Sequence, residues 1–142
     1  MGKPILCLDF DGVIHSYSSG WQGADVVPDP PVPGALDFLQ RALEHFEVCI
    51  YSSRSNQLGG IVAMHHWLLK HAAAGKKIPV LKKHWTDYIK FPAEKPAAFL
   101  TIDDRALTFD GTWPDIKVLL DLLALLVLLD FKPWNKKDER AP

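Results

Sequence analysis

The strongest constraint on this chain is a set of short runs that are apolar at almost every position. They extend from Ile5 to Leu8, from Val48 to Tyr51 and from Ala98 to Ile102, with longer segments between them. A run without polar alternation is typical of a strand covered on both faces, as in parallel sheets. Strands of this kind that alternate with helices predict an α/β fold with a mainly parallel central sheet.

The segments between these runs predict two helices. Apolar residues at helical spacing follow Pro33 and indicate a helix that ends near His45. Ser55 is predicted to cap the second helix, because a serine side chain can accept a hydrogen bond from a free N–H at a helix start. We also expect a short strand near Ile78–Leu81, and either a strand or a turn at Leu107–Phe109.

The most apolar stretch of the chain is Val118–Leu129. It is interrupted by Asp121, and it is shorter than the roughly 20 residues that a membrane-spanning helix needs. It predicts a helix that is apolar on nearly all sides, and such a helix must be covered. We therefore expect no membrane partner, and we expect residues 116–129 to contact a second copy of the chain in a homo-oligomer.

The composition is that of a globular protein. The 142 residues suit a single domain, which we place at 1–131 with a polar tail at 132–142. A net charge of −1 gives no overall attraction to nucleic acid or membranes. Cys7 and Cys49 lie inside apolar runs and are expected to be buried free thiols. The N-terminus enters the first run without a signal peptide, which predicts a cytoplasmic location.

Polar and charged residues follow the predicted strands directly. Asp9 and Asp11 come after the first strand, residues 52–54 (Ser-Ser-Arg) after the second, and residues 103–105 (Asp-Asp-Arg) after the late one. Because ligands bind beyond the carboxyl ends of parallel strands, these groups are predicted to meet at one edge of the sheet. Two carboxylates about 4 Å apart repel by roughly 4 kcal/mol at an effective dielectric constant of about 20. The cluster therefore predicts a hard cation such as Mg²⁺, which prefers oxygen ligands.

The same residues resemble the motifs of the haloacid dehalogenase superfamily. The segment Asp9–Val13 reads DFDGV and is similar to the first motif, DxDG[TV], which follows a hydrophobic strand. Ser52 is similar to the second motif, a Ser or Thr at a strand end. Thr101–Asp104 resembles the fourth motif, an acidic pair that closes a strand. The third motif is a lone lysine, for which Lys95 is the candidate and Lys90 the alternative.

The resemblance covers roughly residues 4–110 and implies a Rossmann-like three-layer sandwich. It implies a magnesium-dependent phosphatase, in which Asp9 attacks phosphorus to form an aspartyl-phosphate and Asp11 is the general acid and base. Dehalogenase members lack an acid at the second position, so Asp11 favours phosphatase activity. A flap at about 15–31, a helix and a strand occupy the chain between the first two motifs. No cap domain is therefore expected.

The resemblance also implies how the metal and the substrate are bound. Mg²⁺ would be held by Asp9, by the backbone carbonyl of Asp11 and by Asp104, with Asp103 in support. Ser52 would donate a hydrogen bond to a phosphoryl oxygen, and Lys95 would offset negative charge. Three further residues are candidates for substrate binding: Ser53, Arg54 and Arg105.

Three functions remain open at this point. They are a phosphomonoester hydrolase, a phosphotransferase with the same intermediate, and a non-catalytic phosphate-binding module. The presence of both Asp9 and Asp11 favours the first. Without a cap domain, the phosphorylated substrate can be small or macromolecular. Tyr17 and Trp21 in the flap, with a basic stretch at 76–85, favour nucleotide or nucleic-acid-end phosphates slightly.

Overall fold

The computed structural model describes residues 2–74 and 83–129. The chain divides into two compact units, Met1–Asp103 and Asp104–Pro142, and each is considered by itself. The strand expected near Ile78–Leu81 and the polar tail at 132–142 lie outside the described residues. The assignment of residues 1–131 to one domain stays a prediction.

Within its described residues, the first unit contains a three-stranded parallel sheet with the first strand in the middle. The strands are β1 (Ile5–Leu8), β2 (Glu47–Ile50) and β3 (Leu100–Ile102), in the order β2-β1-β3. Leu6 pairs with a residue on each side, and its partner on β3 is Leu100. Because all three strands run the same way, their carboxyl ends share one edge. The prediction of an α/β fold with a parallel sheet is confirmed.

The first two helices begin or end differently from the sequence-based prediction, whereas the last helix covers the residues expected for it. Helix α1 is Ala35–Ala42, a 3₁₀ helix covers Trp85–Tyr88, and α3 of the second unit is Ile116–Leu129. Helix α2 is Gly60–Ala73, so Ser55 is not its cap. The Ser55 hydroxyl oxygen instead accepts a hydrogen bond from the Ser52 N–H (2.9 Å). The segment 107–109 is neither a strand nor a turn.

The core of the first unit lies around β1 and β2. The last three residues of each strand are buried, as the apolar runs predicted, whereas the first residue of each is partly exposed. Helices α1 and α2 contribute Leu39, Met64 and Leu68 to this cluster. Cys7 and Cys49 are buried and free, as expected. β3 differs, because all three of its residues are exposed.

The second unit contains α3, whose apolar side chains are mostly exposed. None of the helices that the structure describes combines the length and the apolar character needed to cross a bilayer. The homo-oligomer expected through residues 116–129 stays a prediction.

Candidate active site

Asp9 and Asp103 are brought together by the pairing of β1 with β3. Each follows its strand directly, and the Asp9 N–H donates to the Ile102 carbonyl oxygen (2.9 Å), extending the ladder to the end of the sheet. The Phe10 N–H donates to Asp9 Oδ1 (2.8 Å) and orients that carboxylate. Asp9 and Asp103 each offer a carboxylate oxygen, and these atoms lie within 4.8 Å of each other.

This pair fits a hard divalent cation. At 4.8 Å or less, two carboxylates repel by about 3 kcal/mol or more at an effective dielectric constant of about 20. A bound Mg²⁺ would remove that repulsion, and carboxylate oxygens are its preferred protein ligands. Asp104 follows Asp103 in the chain and begins the second unit. There its Oδ2 lies 3.5 Å from Nε of Arg105, whose side chain is half exposed.

Asp11 lies in a tight turn that starts at the end of β1. The Phe10 carbonyl oxygen accepts hydrogen bonds from the N–H groups of Val13, Ile14 and His15. Gly12 adopts a positive φ of 83°, a conformation that glycine enters without a Cβ clash. The turn brings the His15 ring onto Asp11, with Nδ1 2.8 Å from Asp11 Oδ1.

The second oxygen of Asp11 is bound by Arg54. Nε of Arg54 donates to Asp11 Oδ2 at 2.8 Å. Burial acts to raise the pKa of Asp11, but the hydrogen bonds from His15 and Arg54 outweigh it, so the pKa lies below its ordinary value. Asp11 is therefore a carboxylate at neutral pH in this arrangement. A carboxylate with a lowered pKa is a weaker base than an ordinary one, and it must first take up a proton to act as an acid.

Arg54 is fully buried beneath the flap. Its Nη1 donates to the backbone carbonyls of Gly23, Ala24 and Val26, each at 2.9 Å. Its guanidinium carbon lies 4.8 Å from the ring centroid of Trp21. Nη2 is buried and has no hydrogen-bond partner among the residues that the structure describes. Contact between Arg54 and a substrate, as the sequence predicted, therefore requires the flap to move.

A second set of contacts, made by His15 and Asp29, also holds the flap in place. The Asp29 N–H donates to Nε2 of the buried His15 (3.1 Å), and Nε1 of Trp67 donates to the Asp29 carbonyl oxygen (2.7 Å). The Asp29 carboxylate accepts hydrogen bonds from the N–H (2.8 Å) and hydroxyl (2.5 Å) of Ser19. Burial acts to raise the pKa of Asp29, but these hydrogen bonds outweigh it and lower the pKa. The flap is thus tied down at several points.

Ser52 lies in the loop between β2 and α2. Its hydroxyl oxygen accepts the Arg54 N–H (3.2 Å), which leaves the hydroxyl hydrogen to be donated elsewhere. The start of α2 packs closely on this loop, since a Cβ on Gly60 would lie 1.9 Å from the Arg54 carbonyl oxygen. Ser52 is buried, whereas Ser53 is exposed.

The two candidate lysines occupy different places. Lys90 lies beside β2 and forms an ion pair with Glu47, the residue at the amino end of that strand, whereas the acids follow the carboxyl ends of β1 and β3. Lys95 is exposed. Burial raises the pKa of the Cys7 thiol, and the positive charge of Lys95 acts against that rise. The choice of Lys95 over Lys90 for the third motif stays a prediction.

The structure thus brings some of the predicted site residues together and adds other residues to the site. Asp9 meets Asp103, and Arg54 contacts Asp11. His15 and Asp29 were missed by sequence reasoning, although a histidine four residues after Asp11 in a tight turn is a signal that a search for nearby partners could use. Comparisons with models of protein families, with curated proteins and with solved structures find no match for this chain.

Proposed function

We propose that the protein is a magnesium-dependent phosphomonoester hydrolase that forms an aspartyl-phosphate on Asp9. The observation that carries the proposal is the approach of the Asp9 and Asp103 carboxylates to within 4.8 Å, at the carboxyl edge of a parallel sheet. The resemblance of residues 9–13 to DxDG[TV] supports the same reaction. A Rossmann-like three-layer sandwich without a cap domain is part of this proposal.

The reaction assigns a separate task to each acid. Asp11 first takes up a proton from solvent. A carboxylate oxygen of Asp9 then attacks phosphorus, and the bond from phosphorus to the leaving oxygen breaks as Asp11 gives this proton to that oxygen. Asp11 then takes a proton from water, which attacks the phosphorus of the intermediate and releases Asp9 and inorganic phosphate. The Ser52 hydroxyl donates to a phosphoryl oxygen, and Lys95 offsets negative charge. Substrate contacts of Ser53, Arg54 and Arg105 belong to the same proposal.

The metal would be held by carboxylates that the sheet already orients. Asp9 and Asp103 fit this task by their distance and their oxygen chemistry. The resemblance adds the backbone carbonyl of Asp11, and it favours Asp104, the residue after Asp103, as the principal ligand. When bound, Mg²⁺ supplies positive charge that offsets the repulsion between the nucleophile and the phosphate.

The first experiment is hydrolysis of p-nitrophenyl phosphate with and without Mg²⁺. We expect turnover that requires Mg²⁺ and that Asp9→Asn abolishes, because the amide is neutral and a poor nucleophile. Asp37→Asn is the matched control, since Asp37 is an exposed carboxylate on α1 that pairs with Arg41. Activity that survives in Asp9→Asn would contradict the nucleophile. A folded protein that hydrolyses none of a panel of phosphorylated small molecules and nucleic-acid ends would contradict the hydrolase.

The covalent step has its own readout. Acid quenching during turnover should leave a phosphoryl adduct on the peptide that contains Asp9, detectable by mass spectrometry, and Asp9→Asn should lack it. Adding alcohols as acceptors separates the two enzyme classes. A hydrolase releases inorganic phosphate at an unchanged yield, whereas a phosphotransferase diverts the phosphoryl group to the alcohol.

A further inference from the structure

We infer that Arg54 is a positioning residue that couples the flap, residues 15–31, to the Asp11 carboxylate. In this arrangement, the closed position of the flap and the observed orientation of Asp11 occur together. The catalytic half of the inference rests on the proposed function, in which Asp11 is the acid and base. The structural half, that the flap and Asp11 are coupled, does not depend on that function.

The first connection runs through the guanidinium group. Nε donates to Asp11 Oδ2 at 2.8 Å, while Nη1 holds the carbonyls of Gly23, Ala24 and Val26 at 2.9 Å. A guanidinium is planar and rigid, so its nitrogens move together. A displacement of the flap segment 23–26 must therefore shift the donor that orients Asp11, and a displacement of Asp11 must loosen the grip on the flap.

The second connection runs through His15. Its Nδ1 contacts Asp11 Oδ1 (2.8 Å), and its Nε2 accepts a hydrogen bond from the N–H of Asp29. The ring therefore connects the Asp11 carboxylate to Asp29, near the end of the flap. The ring is held by stacking on Phe10 and by an edge contact with Trp67. Both oxygens of Asp11 are thus linked to the flap, Oδ2 through Arg54 and Oδ1 through His15.

Burial makes the coupling strong. Arg54 is fully buried, and the Asp11 side chain is 13% exposed. A buried charge that loses its partner is strongly unfavourable, whereas an exposed ion pair contributes little. Removing the charge of Asp11 leaves the Arg54 guanidinium without its carboxylate, so the flap is expected to loosen although Asp11 does not contact the flap carbonyls. An ordinary substrate-binding arginine would not have this effect.

The structural half is tested by amide hydrogen exchange in the full chain. We expect exchange in residues 15–31 to be about tenfold faster in Arg54→Lys and in Asp11→Asn than in the wild type. Exchange in β1 and β2 should stay near wild type in the same variants, which shows that they fold. Arg41→Lys is the control, because it makes the same substitution in an exposed ion pair. Wild-type exchange in the flap of both variants would overturn the coupling.

The catalytic half is tested by leaving-group dependence. Dinitrophenolate departs without a proton, whereas phenolate needs one from Asp11. Arg54→Lys should therefore lower kcat/KM about tenfold or more for phenyl phosphate and about threefold or less for dinitrophenyl phosphate. Equal losses with both substrates, or an increase in KM alone, would overturn a positioning role. If the wild type hydrolyses neither substrate, the proposed function fails, and the exchange measurement still decides whether Arg54 couples the flap to Asp11.

Discussion

Gly60 is the point at which α2 meets the loop that carries Ser52 and Arg54. A Cβ at this position would lie 1.9 Å from the Arg54 carbonyl oxygen and 2.8 Å from its carbonyl carbon, so backbone would have to shift. We expect Gly60→Ala to lower the free energy of unfolding by about 1–3 kcal/mol, although alanine is the better helix former. Denaturant unfolding measures this. Gly2→Ala, whose Cβ would meet nothing within 4 Å, is the control, and equal stability of the two variants would contradict the close approach.

Asp29 makes the flap sensitive to acid. Its pKa is lower in the folded protein than the ordinary value of 3.8, because the hydrogen bonds from Ser19 outweigh burial. A lowered pKa contributes stability above the unfolded value, and that contribution is lost as the pH falls through the folded value. We expect the free energy of unfolding to fall more steeply below about pH 4 in the wild type than in Asp29→Asn. Urea unfolding across this range measures the slopes, and Asp37→Asn should follow the wild type.

A local sequence pattern predicts the position of some site residues but not of others. Asp9 and Asp103 each follow an apolar run directly, so parallel pairing is enough to bring them to one edge. The burial of Arg54 is different, because its partners are backbone carbonyls of the flap. A segment rich in proline and glycine has no hydrophobic period that would predict its path, and the contact of Arg54 with Asp11 was missed for that reason.

The elements show a similar division. The residues of β1 were predicted without error, whereas β2 is offset by one residue and α1 ends near Ala42 rather than His45. Apolar periodicity predicts that an element exists, but its ends depend on local hydrogen bonds. At α2 the decisive contact is between Ser52 and Ser55 (2.9 Å), which uses the serine that the sequence predicts as a cap.

The connection between α2 and β3 carries the two candidate lysines and allows a direct test. Lys90 is paired with Glu47, and this pairing raises its pKa. We expect Lys95→Ala to lower kcat by about a hundredfold or more, as when a group that stabilises transition-state charge is removed. Lys90→Ala, the matched control, should stay within about threefold of the wild type. The reverse order of losses in p-nitrophenyl phosphate assays would make Lys90 the third-motif lysine.

At the scale of the whole molecule, the exposed apolar side chains of α3 are the feature that most favours association with another chain. Leu120, Leu123 and Val127 share one face of this helix and are all more than half exposed. Exposed apolar patches of this kind mark association surfaces. We expect the protein to self-associate as its concentration rises, and we expect Leu123→Lys to weaken the association. Sedimentation velocity measures this, with Asp121→Lys on another face as the control. A wild type that is monomeric at every concentration would contradict the expected homo-oligomer.

The sheet order has a consequence for synthesis on the ribosome. β1 is made first but lies in the middle of the sheet, where Leu6 pairs with Val48 on one side and Leu100 on the other. A chain grows at about 5–20 residues per second, so β3 is made several seconds after β2. During that interval one edge of β1 has no strand to pair with, and a neighbouring nascent chain can occupy it. The strand that Asp9 follows is therefore the one most exposed to mispairing before the chain is complete.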